Sequence, residues 1–225
     1  MIRILCIETS SKFCSVSLIE KNKIVASKRI EIEKSHSEFI LVLIDSILKE
    51  QNILLTQLSA VAVSKGPGSY TGLRIGVSTA KGLCYSLDLP LLSVNSLDLM
   101  AVQSKKKKIT DAKALLCPMM DARRMEVYTK ILNFDLCEVE ETSSMILDKN
   151  SFEHLLNNNK IYFFGNGSLK FKKIVKSSNA LFLDDVHPDA SSFNELVSFK
   201  YSKKKFEDLI NFEPYYLKSY YFKKK

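Results

Sequence analysis

Residues 60–95 read AVAVSKGPGSYTGLRIGVSTAKGLCYSLDLPLLSVN. The apolar, β-branched run at 60–64 has the length of a short buried strand. Glycine and proline then supply a sharp turn at 65–69. The spacing predicts a helix over 71–87, and 91–94 opens a second strand. Three of the chain's seven glycines, Gly72, Gly76 and Gly82, fall inside that helix. Each costs roughly 1 kcal/mol relative to alanine in a helix interior, so something must offset them. Gly72, Gly76 and Ala80 are four apart and share a face. A stripe without side chains admits another backbone at close range, and the helix is expected to be a contact surface.

On the N-terminal side, strands are expected at 2–8, 14–20 and 24–32. Short turns join them into an antiparallel meander whose first loop is Glu8-Thr9-Ser10-Ser11. Ser35 is the expected N-cap of a helix over 36–51, with Glu38 completing a capping box. Its apolar positions, Phe39 to Ile44 with Ile47 and Leu48, wrap more than half the circumference, wider than a one-sided surface stripe. Such a helix needs cover from its own sheet and from a second helix or another subunit. The resulting β-β-β-α-β-α-β order matches the half-domain of the actin-like ATPases and sugar kinases. On its own this is a likeness of fold and not of function.

On the C-terminal side, a connecting helix over 96–103 capped by Ser96 leads into a hydrophilic linker at 104–111. A shortened echo of the first unit follows. Its strands are expected at 114–119, 126–132, 137–146, 161–164 and 181–183, and its helices at 152–156, 169–175 and 192–200, the last capped by Ser191 or Ser192. The expected fold class is therefore α/β, with two actin-like, ribonuclease-H-like domains of mixed sheets flanked by helices. The first spans 1–103 and the smaller second 104–225. The C-terminal helix or the tyrosine-rich tail at 214–222 could pack back on the first.

The 225 residues are 46% hydrophobic, ordinary for a globular protein. No run approaches the roughly 18 apolar residues of a membrane span, and the opening MIRILCIETS is too brief for a secretory signal. Five cysteines without a C-x-x-C pair favour buried free thiols in a reducing cytoplasm. The net charge of +8 fits either an RNA-facing surface or a solvated lysine-rich one. The solvated reading is preferred, because the runs at 105–108 and 223–225 lack aromatics and 203–205 is followed by only one.

Three stretches carry a more specific resemblance. IETS at 7–10, SKGPGSYTGLRIG at 64–76 and DARRMEVY at 121–128 resemble the bacterial TsaB family, as do His36-Ser37-Glu38, Gly165-Asn166-Gly167 and Pro214-Tyr215-Tyr216-Leu217. The likeness spans nearly the whole chain. It implies a non-catalytic subunit in the synthesis of N6-threonylcarbamoyladenosine (t6A) in tRNA. Such a subunit pairs with the catalytic TsaD and the ATPase TsaE, meets tRNA only within that complex, and forms a homodimer when alone. An older family label, glycoprotease, implies a peptidase.

The related catalytic subunit holds a metal with H-x-x-x-H before the equivalent helix. Here His36 stands at one position and Ile32 at the other, so no metal site is expected. ATP-using relatives carry Asp-x-Gly in the first loop, where this chain has Glu8-Thr9-Ser10. Gly66-Pro67-Gly68-Ser69 lacks the spacing of a P-loop. Thr9, Ser10, Ser11, Gly66, Gly68, Gly165 and Gly167 remain as vestigial nucleotide or anion contacts, with plain turns the preferred reading. Ser69 and Thr71 compete as cap of the second helix. Around Asp121-Ala122-Arg123-Arg124 an Asp–Arg ion pair is expected, a tRNA phosphate contact being the other reading. The partner-binding surface is expected on His36, Phe39, Ile40, Leu43 and Ile47 of the first helix and Gly72, Leu73, Gly76, Ala80 and Leu83 of the second. The resemblance implies that two such helix pairs meet in a four-helix interface. No cofactor is expected beyond a nucleotide at that interface. The alternatives are a nucleotide-binding enzyme of the actin-like class, a metal-independent peptidase, and an RNA-binding module.

Overall fold

Alternating and continuous apolar runs become strands where expected. β1 (Arg3–Glu8), β2 (Phe13–Glu20) and β3 (Lys23–Glu31) form the antiparallel meander. β4 (Ala60–Gly66) and β5 (Leu91–Asn95) extend it in parallel, giving the order β3-β2-β1-β4-β5. The second sheet contains β6 (Leu115–Asp121), β7 (Glu126–Leu132), β8 (Glu138–Ile146), β9 (Ile161–Phe164) and β10 (Ala180–Leu183), in the order β10-β9-β6-β7-β8. Counted from its other edge this is the topology of the first. The computed structural model describes residues 1–31, 36–107, 109 and 111–218. Ile32, the expected cap Ser35, Lys108, the tail beyond 218 and the basic run 223–225 lie outside these residues.

The second unit keeps all five strands, and its reduction lies in the helices. α4 (Glu153–Leu156) and α5 (Ser168–Lys172) have four and five residues, against fifteen and eighteen in α1 (His36–Glu50) and α2 (Tyr70–Leu87). The asparagines at 157–159 that follow α4 are poor helix formers.

β1 and β4 lie inside the first sheet with both faces covered, which is why β4 begins with an unbroken apolar run. On one face Leu5, Ile7, Val61 and Val63 pack against Ile40, Ile44 and Ile47 of α1 and Val77 and Ala80 of α2. On the other, Ile4, Cys6, Ala62 and Leu92 meet Leu99 of α3 (Ser96–Ser104). Phe193 and Val197, at and within the start of α6 (Asn194–Ser202), cover the same face from the far end of the chain. The opposite side of α3, with Leu97, Met100 and Ala101, packs on Leu116, Met120 and Phe164 of the second sheet. A helix serving two sheets needs apolar residues on opposite sides, and α3 has them, with Asp98 and Gln103 left to polar partners. The outer face of the second sheet carries Phe152, Phe163 and Phe171, three rings edge to face at 4.9 to 5.4 Å.

Capping differs from expectation in detail. Ser69 caps α2, accepting the Gly72 N–H at 3.2 Å. Asn95, not Ser96, caps α3, accepting the Leu97 N–H at 2.8 Å, because the extended backbone of a cap occurs one residue earlier. Ser191 and Ser192 belong to a 3-10 turn capped by Asp189, and α6 starts after it without a side-chain cap.

The tail forms a strap over α2. Lys81 Nζ donates to the carbonyls of Ile210 and Phe212 at 3.0 and 2.9 Å, and Tyr215 N–H donates to the Lys65 carbonyl at 2.7 Å. Tyr216 packs on Tyr70, and Lys218 pairs with Glu126 of the second sheet. Cys6, Cys14, Cys84 and Cys117 are buried thiols, whereas Cys137 is exposed at the start of the polar strand β8. Among the described residues no helix is long and apolar enough to cross a membrane.

Candidate functional site

Three neighbourhoods hold the residues singled out from the sequence. The first is the junction of loop 8–11 with the turn into α2. Ser69 N–H donates to the Ser10 carbonyl at 2.7 Å, Thr9 Oγ1 donates to the Gly72 carbonyl at 2.7 Å, and Ser10 N–H donates to Glu8 Oε1 at 2.5 Å. A methyl on Gly68 would fall on the Ser10 carbonyl oxygen and one on Gly72 on the Thr9 carbonyl oxygen, both well under 3.0 Å. Gly68 also has φ of +158°. These glycines therefore admit the chain's own first loop, and the N–H groups of Ser10, Ser69 and Gly72 donate within the protein. Gly165 and Gly167 are likewise pressed against Met119 and Met120 of β6.

Glu8 itself is fully buried. Burial pushes its carboxyl up to about 7, against the lowering pull of the Ser10 and Ser64 hydroxyls and the Ser10 N–H, while the charge of Asp189 adds to the rise. His36 anchors the start of α1 to the same loop. Its Nε2 lies 2.9 Å from the Ser11 carbonyl and 3.3 Å from that of Phe13, so this nitrogen is the donor. Among the described residues no group of three or more His, Cys, Asp or Glu side chains could hold a metal ion.

The second neighbourhood is the helix pair. The small-residue stripe points inward: Gly72, Leu73, Gly76 and Ala80 are buried, with Gly76 against the Thr9 side chain. Ile40 and Ile47 are also core residues, and Leu43 and His36 are only 8% exposed. These eight of the ten expected docking positions are taken up within the chain itself: Gly72 and Gly76 lie against Thr9 of loop 8–11, while Ile40, Leu43, Ile47 and Ala80 belong to the core of the first sheet. Leu83 is half-buried, and Phe39 is 40% exposed. The surface instead presents Leu41 and Val42 beside Phe39, 58% and 60% exposed. Farther along α2, Tyr85 stands out beside Ile210 of the strap. The breadth of the apolar girdle on α1 already signalled an outward patch, but not which members form it.

The third neighbourhood is the β6–β7 hairpin. Ala122 N–H donates to the Glu126 carbonyl and Glu126 N–H to the Arg123 carbonyl, each at 3.0 Å. Arg123 and Arg124 both occupy the left-handed region, φ +71° and +48°. For residues with a Cβ this costs about 1 kcal/mol or more each. The expected Asp–Arg ion pair is not formed. Asp121 Oδ1 accepts the Arg123 backbone N–H at 2.6 Å and Lys170 Nζ at 2.9 Å. Between the sheets, Lys130 is nearly buried and pairs with Asp98 at 2.8 Å and Glu138 at 2.7 Å.

Comparison with known proteins adds to this geometry. The family model described as TsaD, tRNA N6-adenosine threonylcarbamoyltransferase, matches residues 24–224. The chain is 36% identical over 131 residues to the tRNA threonylcarbamoyladenosine biosynthesis protein TsaB of Bacillus subtilis, an alignment covering 58% of this chain and 55% of that protein. The chain thus spans about half the length of that relative. It is 28% identical to TsaB of Haemophilus influenzae, with 96% of this chain and 93% of that protein covered. A Pseudomonas aeruginosa structure described as similar to peptidase YeaZ superposes with a TM-score of 0.86 at 21% identity. It covers 97% of this chain and 100% of its own, a likeness that concerns the fold.

Proposed function

The chain belongs to the family of the TsaD model, with TsaB proteins among its relatives, and from this we propose that it is the non-catalytic subunit of a t6A-synthesising complex. In this reading it binds a TsaD-type catalytic subunit, with a TsaE-type ATPase joining the assembly, and supports threonylcarbamoyl transfer to tRNA without turnover of its own. The observation that carries it is the packing of loop 8–11 into the glycine turn. There the N–H groups of Ser10, Ser69 and Gly72 are spent on the chain itself. A catalytic relative would need such donors for a phosphate.

The docking surface in this reading is the outer side of α1 and α2. Phe39, Leu41 and Val42 form its apolar centre, and α2 contributes the half-buried Leu83. The buried glycine stripe shapes this surface only indirectly, by seating α2 against β1.

The test is co-elution with TsaD followed by assay of modified tRNA. The isolated chain should form no t6A, and the pair with TsaE should. Leu41→Glu with Val42→Glu should weaken TsaD binding at least roughly thirtyfold, the cost of losing a buried apolar anchor. The variant's melting behaviour should stay within about 0.5 kcal/mol of the parent, as usual for exposed sites. Undiminished co-elution of the double variant would move the interface elsewhere, and t6A formed by the chain alone would overturn the non-catalytic reading.

A further inference from the structure

The β6–β7 hairpin spends backbone comfort on two arginines. Asparagine or glycine accepts a positive φ with little or no steric cost, yet both left-handed positions carry long cationic side chains. Both residues are exposed, and among the described residues no carboxylate lies within ion-pair distance of either guanidinium. The acids that could neutralise them are engaged: Asp121 with Lys170, and Glu126 with Lys218. Asp121 also holds the Arg123 N–H, which fixes the loop so that the two heads project from its tip.

The surroundings extend the pattern. Lys218 joins the hairpin base to the strap, and two residues earlier Tyr216 packs on Tyr70 at 4.9 Å between ring centroids. Arg74 lies over the Tyr70 ring at 4.2 Å. Through the Lys218–Glu126 pair the strap ties this tyrosine pair and its arginine to the base of the hairpin. Exposed guanidinium heads suit the phosphodiester backbone of RNA. The turn itself exposes one large apolar side chain, Met125 at 39%, with Ile146 of β8 opposite Glu126 at its base.

We propose that the β6–β7 hairpin tip is an RNA-backbone contact, in which Arg123 and Arg124 each engage phosphate oxygens of tRNA. Planar guanidinium forks match phosphate in a bidentate manner that lysine does not reproduce. The contact rests on the reading of the chain as part of a tRNA-modifying complex, and it assigns this chain a share of tRNA positioning beside its docking role.

The test replaces the strained arginines by residues at ease in the same backbone, Arg123→Asn with Arg124→Gly. This variant should be as stable as the parent or more so, and it should bind TsaD unchanged. Titrated with an unmodified tRNA transcript at about 0.1 M salt, the complex of this variant with TsaD and TsaE should bind roughly five- to tenfold more weakly than the parent complex. The slope of log affinity against log salt should flatten by about one to two, the signature of one or two lost phosphate contacts. Lys105→Gln with Lys106→Gln removes the same charge elsewhere and should change affinity less than about twofold, within what long-range electrostatics allow.

Unchanged tRNA affinity and slope in the Asn–Gly variant would overturn the proposal. An equal loss in the lysine control would do so as well, because only general charge would then be at work. Loss of TsaD binding with tRNA affinity intact would overturn it by making the tip a protein contact. An assembled complex that binds tRNA but forms no t6A would instead count against the function proposed above, while the titration of that complex still decides the arginines.

Discussion

Replacing Gly72 by alanine is expected to lower stability by roughly 3 kcal/mol, the upper part of the usual range for overpacking a tight site. For a chain of this size that is a fall in Tm of about 6 to 12 °C. The new methyl would meet the carbonyl oxygen of Thr9, a backbone atom held by β1, so relief requires moving the first loop or the helix. Gly76→Ala should be milder, since its neighbour is the Thr9 hydroxyl, which can rotate away once its bond to the Gly72 carbonyl is given up. Gly82→Ala is the internal control. It lies in the same helix with nothing within 4 Å of the added carbon, and it should stabilise by up to about 1 kcal/mol through helix propensity alone. Thermal and urea melts of the three variants check the order. A neutral Gly72→Ala would mean that loop 8–11 does not pack where it is described.

Glu8→Gln should raise stability at pH 8, by an amount of order 2 kcal/mol. In the folded protein the Glu8 carboxyl titrates at about 7 instead of its ordinary 4.5, chiefly because burial disfavours the charge. The folded state therefore holds the proton more tightly than the unfolded chain does. Between about pH 4.5 and pH 7 the folded state carries more protons, so stability falls as pH rises through that window and levels off above it. The cost of the buried charge is fully present above about 7 and absent below about 4.5. The gap corresponds to roughly 3 kcal/mol, and a glutamine amide with an imperfect partner recovers part of it. Urea melts of parent and variant at pH 5, 6, 7 and 8 should converge at the acid end and separate toward pH 8. Parallel curves across the range would show that Glu8 stays ionised throughout.

Much of the architecture was legible because strand patterns are local. β7 and β9 fall on the expected residues, and the repeated strand order followed from counting segments. Direction was less legible. The Gly72, Gly76 and Ala80 stripe announces that something comes close, yet a sequence does not say whether the visitor is a partner or the chain's own first loop, 63 residues before Gly72. The apolar girdle of α1 likewise shows that one sheet face cannot cover it. Only the assembled fold shows that Ile40 and Ile47 turn in while Leu41 and Val42 stay out. The arginine hairpin was visible as a motif. Its strain was not, because nothing in the letters Arg-Arg reports a positive φ.

The return of the chain to its own beginning has a consequence for synthesis. The strands of the first sheet are complete by residue 95, but one of its faces is finished by Phe193 and Val197. On the ribosome, an almost whole first sheet waits with apolar residues such as Ile4, Ala62 and Leu92 incompletely covered until the last quarter of the chain has emerged. That face closes only after Phe193 and Val197 have been made. Truncation from the C-terminus, even well beyond the second sheet, should therefore harm the half made first.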